Sequence, residues 1–135
     1  MTTPDLADLR YQPITTVEDL TTLWRAMMGA GGFGRRRLWV VFLDEDGTPG
    51  PVVMPIDDIP AFPGVREVQG LQRVLEQVAA PGVVLLVSRP GPPAEQDSDR
   101  RWAEALAPLS SWPVHLATDP HDPSGPCVLR VLLVP

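Results

Sequence analysis

The chain is expected to fold as one α/β domain, α+β-like in its segregation, with a mixed central sheet of about five strands and three helices in the order αββαβαββ. Three observations lead there. Continuous apolar, β-branched runs such as Leu38–Leu43 and Val83–Val87 read as strands covered on both faces. Between and around them, apolar residues at helical spacing alternate with the strands. Finally, 135 residues suit a single core.

Residues 1–15, with Pro4 and Pro13 and no sustained periodicity, read as an N-terminal arm with at most a short turn near Leu6 to Leu9; residues 16–135 form the domain. The first helix starts at Thr16, a cap with Asp19 in the capping-box position. Val17, Leu20, Leu23, Trp24 and Met27 then share one face, and the glycines Gly29, Gly31 and Gly32 end the helix. Leu38–Leu43 is an interior strand, and Val52–Ile56 returns as its hairpin partner across an Asp-, Gly- and Pro-rich turn. That turn superficially suggests a calcium loop, but with Gly47 at the required position the first and last ligands would be Phe42 and Val53, so the reading fails.

From Val65 to Ala80, the residues Val68, Leu71, Val74, Leu75 and Val78 make a second helix, stopped by Pro81-Gly82. Gly70 inside it costs about 1 kcal/mol relative to Ala, which suggests the close approach of another element. Val83–Val87 completes a βαβ unit. After a Pro-rich loop the chain re-enters helix around Asp97, with Trp102, Leu106 and Leu109 facing the core and Asp97, Ser98 and Asp99 suited to its N-terminus. Trp112–Ala117 and Val128–Val134 are the last two strands, the final one carrying Arg130 as its only charge.

Composition excludes several functions. No apolar run approaches the about 20 residues that span a bilayer, and no basic-then-apolar leader opens the chain. A single cysteine, Cys127, forbids an internal disulfide and fits a cytoplasmic protein. The absence of lysine excludes Schiff-base catalysis and a Walker A phosphate loop. A net charge of −6 disfavours nucleic acid, since the only basic cluster is Arg35, Arg36 and Arg37. The abundance of alanine, proline and arginine, without asparagine, suggests a GC-rich and bacterial source.

Candidate chemistry sits at the carboxyl end of the third strand. Ser88, Arg89 and Pro90 lead into the loop, and Asp97 and Asp99 open the next helix. Arg89 can clamp an anion with help from free helix amides, or pair with Asp97 or Asp99 and fix the loop; the ion pair is the simpler expectation. Ser88 with His115 or His121 lacks the Gly-x-Ser-x-Gly setting of a hydrolytic nucleophile. Asp119, His121, Asp122 and Cys127 match no standard metal spacing, so Asp119 and Asp122 are expected to make local turn bonds and Cys127 to be a small core residue.

The order of elements over residues 17–118, together with the strand, Ser88-Arg89-Pro90, the Pro-rich loop and Asp97 to Asp99 at a helix start, resembles the JAB/MPN superfamily. That is the fold of zinc-dependent deubiquitinating-type peptidases and of a bacterial family associated with DNA repair. Its pattern runs from an apolar strand into His-x-His-Pro and then Ser-x-x-Asp at a helix start. The resemblance implies that Pro90 stands at the motif proline and, with one residue deleted, Asp99 at the aspartate ligand. Val87 and Arg89 stand where the two histidines belong, and Glu18, placed near the family's base, is better read as a helix-surface residue. A guanidinium beside the remaining carboxylate does not make a zinc site.

The resemblance therefore implies a degenerate, non-catalytic member with no cofactor or metal, acting as an interaction or scaffold module toward a protein partner or itself. The alternative is a small-molecule or anion binder, or an unrecognised hydrolase, using Ser88, Arg89 and Asp99. An apolar final strand must be covered, either inside the sheet or by a second copy; a homodimer is the favoured expectation.

Overall fold

The computed structural model describes residues 12–30, 33–120, 122 and 125–134. The turn expected near Leu6 to Leu9, and His121, lie outside them. In chain order the elements are α1 (Val17–Met28), β1 (Arg37–Leu43), β2 (Pro49–Asp57), α2 (Val65–Val78), β3 (Gly82–Ser88), α3 (Asp97–Leu106), β4 (Val114–Thr118) and β5 (Val128–Leu132), with a 3-10 turn at Ala107–Leu109. Among the described residues this is the αββαβαββ order with three helices and one five-stranded mixed sheet.

The strands lie in the order β2-β1-β3-β4-β5. β1 is antiparallel to both β2 and β3, β3 is parallel to β4, and β4 is antiparallel to β5. β2 and β3 therefore run the same way with β1 between them, and α2 crosses over it; α3 makes the adjacent parallel crossover from β3 to β4. Among the described residues the final strand is an edge of the sheet, not an interior strand.

Alternation along each strand divides the core into two layers. On one face Leu38, Val40, Val83, Leu85, Val87, Val114 and Leu116 pack with Leu71 of α2 and with Trp102, Ala103 and Leu106 of α3. On the other, Val41, Leu43, Val84, Leu86 and Ala117 pack with Leu20, Leu23, Trp24 and Met28 of α1. Helices cover both faces of β3, which explains its unbroken apolar run; Val84 to Val87 are fully buried.

Local chemistry sets the boundaries. The Thr16 side chain accepts the Asp19 amide while the Asp19 carboxylate accepts the Thr16 amide, closing the expected capping box on α1. Ile14, two residues inside the segment read as an arm, is buried in the α1 layer and donates its amide to Gly47 O. In the β1–β2 turn the Asp44 carboxylate accepts the amides of Asp46 and Thr48, so its oxygens are turn formers. Gly70 corrects an expectation: it is exposed, and a methyl group there would meet nothing within 4 Å, so no element approaches it.

Candidate functional site

The carboxyl end of β3 is where the sheet delivers Ser88 and Arg89 and where α3 begins. Their side chains leave on opposite sides. Ser88 points into the α1 layer, 1% exposed, and its hydroxyl accepts the indole N–H of Trp39 at 3.0 Å. Arg89 is also 1% exposed and turns toward α3. The expectation that Ser88 shares a site with Arg89 and Asp99 is corrected by strand alternation, which sends neighbouring residues to opposite faces.

Arg89 and Asp99 do come together. Arg89 Nε donates to Asp99 Oδ1 and Nη2 to Asp99 Oδ2, both at 2.8 Å, a bidentate pair. Nη2 also donates to Ala94 O at 3.0 Å, and Nη1 to Pro92 O at 3.0 Å and Pro90 O at 3.2 Å. A guanidinium has five N–H donors, and these five bonds use all of them. Asp99 Oδ2 additionally accepts the Gln96 amide at 2.8 Å, so one carboxylate caps α3 and neutralises the arginine. Asp97, at the first position of the helix, is exposed and pairs with Arg100 instead. Pro90 is exposed, and its contribution is the carbonyl that Arg89 binds.

A second carboxylate locks the same loop from the far side. Asp119, just after β4, accepts the Gly91 amide on Oδ2 at 3.0 Å and the Phe33 amide on Oδ1 at 3.2 Å. Asp119 was expected to bond locally; it ties the Pro-rich loop to the α1–β1 link. Gly91 has φ +98°, a conformation open to glycine, and it places that amide on Asp119. Nothing in the local sequence marks this bridge, because its partners lie 28 and 86 residues away.

The basic cluster beside this end of the sheet is largely neutralised. Arg35 Nη1 binds both oxygens of Asp58 at 3.1 and 2.9 Å, and Arg37 pairs with Asp57 while its guanidinium lies 5.3 Å from the Trp39 ring centre. Arg36 is half-buried; burial lowers its pKa, the Arg89 charge adds to this and Asp99 opposes it.

His115 is buried on β4 against α1, with Nε2 2.8 Å from Thr21 Oγ1 and Nδ1 3.3 Å from Pro113 O. Thr21 Oγ1 also donates to Val17 O at 3.0 Å and has one proton to give, so the ring tautomer sets which way the Thr21 and Pro113 contacts run. Burial pushes its pKa below the ordinary histidine value, partly opposed by the Pro113 carbonyl. Neither Ser88 nor Cys127 bonds to it. Cys127 is 2% exposed in the α1 layer, and burial raises its pKa, against a smaller lowering by Arg25, so it stays a thiol. Among the described residues no three His, Cys, Asp or Glu side chains gather where they could hold a metal ion.

Three surface concavities lie away from Arg89. One of about 340 Å3 opens at the opposite end of the sheet between Phe42, Leu75, Pro81 and Leu109. One of about 370 Å3 lies by Arg25, Pro120 and Leu129, and one of about 340 Å3 by Trp112, Leu132 and Leu133. Among the described residues no helix is long and apolar enough to cross a membrane. No protein-family model matches the chain, and no curated protein matches it significantly.

Proposed function

We propose that this protein is a non-catalytic interaction module on a degenerate JAB/MPN-like fold, working in the cytoplasm through contact with a protein partner or a second copy of itself. One observation carries the reading. The carboxylate that the resemblance equates with a metal ligand, Asp99, is bound on both oxygens by a buried guanidinium whose every donor is used. The residues do not fit a zinc ion. A dication would have to displace a guanidinium that is 1% exposed and doubly bonded to the carboxylate, and would gain one carboxylate where zinc takes three protein ligands or more.

The same saturation weighs against the anion binder or hydrolase, since Arg89 has no donor left for a ligand and Ser88 faces another layer. Three measurements on one sample test the reading. Elemental analysis and thermal unfolding with added zinc are expected to show no stoichiometric metal and no rise in midpoint, while light scattering shows an associated species. About one zinc per chain, lost on Asp99→Ala, would overturn it.

A further inference from the structure

The sheet has two edges, and they are built differently. β2 contains Pro49, Pro51 and Pro55. Arg89 N–H and Val83 O both bond on the β4 side, so Leu86 and Ser88 face β1, Trp39 faces β3, and Pro55, opposite Trp39, presents its backbone outward with no N–H. That edge is guarded. β5 is Val128-Leu129-Arg130-Val131-Leu132, without proline or bulge, and among the described residues only β4 pairs with it.

The bonding groups on that free edge follow from register. Arg89 N–H donates to Ala117 O, so Ala117 and His115 face β3, while Leu116 and Val114 face β5. Their partners Arg130 and Leu132 therefore face β4, and the N–H and C=O of Leu129 and Val131 point away from the sheet. The next outward position is Leu133, 79% exposed.

We infer that β5 pairs antiparallel with β5 of a second copy across a two-fold axis at Val131, joining two five-stranded sheets into one of ten strands; this rests on the interaction-module reading above. Outward residues must face outward residues, so the axis can fall only on a residue of the strand, not between two. An axis at Arg130 sets the two arginines directly opposite each other, and like charges so placed repel. An axis at Val131 pairs Val131 with its own copy and Leu129 with Leu133, and moves each Arg130 opposite a Leu132. It aligns six outward N–H and C=O pairs and covers the exposed Leu133 in a Leu, Val, Leu row on the α1 face. The two-fold leaves both β5 edges buried and the proline-guarded β2 edges outside, so the assembly closes at two chains.

Val131→Pro tests this without touching the fold, because the lost N–H makes no bond to β4. The wild type is expected at twice the chain mass by light scattering across a micromolar to submillimolar series, and Val131→Pro at the chain mass with unchanged circular dichroism. In a Cys127→Ser background, oxidation is expected to join Val131→Cys to itself, since opposed Cα atoms sit about 5.5 Å apart, and to leave Leu129→Cys unjoined. Should Val131→Pro unfold, Leu133→Glu, at an exposed position, serves instead and is expected to weaken association at least tenfold. A dimer indifferent to Val131→Pro and Leu133→Glu overturns the edge contact and leaves the interaction-module reading standing. A wild-type monomer throughout the series overturns the pairing, whether a peptide or the N-terminal arm covers the edge. Stoichiometric zinc, by contrast, would overturn the reading beneath it.

Discussion

Replacing Arg89 by Met should cost about 3–5 kcal/mol, and the size of that cost comes from what is left behind. The Pro90, Pro92 and Ala94 carbonyls lose a donor, but those residues are exposed and water can take its place. The Asp99 carboxylate cannot be rescued so. It is 1% exposed and would keep the Gln96 amide alone, an ionised group in the core beside an aliphatic chain. Against a typical total stability of about 5–15 kcal/mol, this takes a large share. Asp99→Asn in the Arg89→Met background should then recover about 1–2 kcal/mol, because a neutral amide is cheaper to bury than a carboxylate. In the wild-type background Asp99→Asn should destabilise, since it leaves the guanidinium unpaired. Urea titration with a shared slope measures all three. An Arg89→Met midpoint within about 1 kcal/mol of wild type, or no recovery on Asp99→Asn, would refute the buried pair as the element that fixes this loop.

Trp102→Ala should cost about 3–5 kcal/mol by urea titration, because the ring is 2% exposed in the core beneath α3 and its N–H donates to Pro60 O at 3.0 Å; an unchanged midpoint would place it at the surface. Gly70→Ala should stabilise by about 0.5–1 kcal/mol, since the added methyl meets open space and α2 loses a flexible residue; a lower thermal midpoint would refute this. His115 is held neutral by burial, with its folded pKa below the unfolded value of about 6.5. The unfolded chain therefore binds the proton first as pH falls, so this contribution is full above about 6.5 and declines as pH drops from there toward the lowered folded value. His115→Gln should flatten that decline, and an unchanged pH slope would show that the ring does not drive it.

What the sequence made legible is what neighbouring residues decide. Thr16 with Asp19, the Val83–Val87 run and Pro81-Gly82 carry their own reasons for starting, burying or stopping an element, and each does so in the fold. The pairing of Arg89 with Asp99 was also within reach, ten residues apart across one turn. The position of β5 was not, since an apolar run reads alike inside a sheet or at its rim and only the pairing of β3 with β1 and β4 settles it. The side of Ser88 needed the strand phase. Asp119 was misplaced because its partners, Phe33 and Gly91, are joined to it only by the finished sheet.

These placements bear on where this protein can do anything at all. In α/β sheets, the strand ends that open onto loops and helix N-termini usually hold the ligand, because unspent amides and side chains collect there. Here that end of β3 spends them internally: Asp99 takes Arg89 and the Gln96 amide, Asp119 takes Gly91 and Phe33, and Asp57 and Asp58 take two of the three neighbouring arginines. A ligand at Arg89 or Asp99 must first break a bond that is already satisfied, whereas Arg36 Nε, near that pair, and Thr118 Oγ1, at the end of β4, have no hydrogen-bond partner among the described residues. On the β5 edge, which no proline guards, the N–H and C=O of Leu129 and Val131 face outward with no further strand among the described residues. An unpaired edge can accept another strand, and that is the contact proposed above for a second copy of the chain.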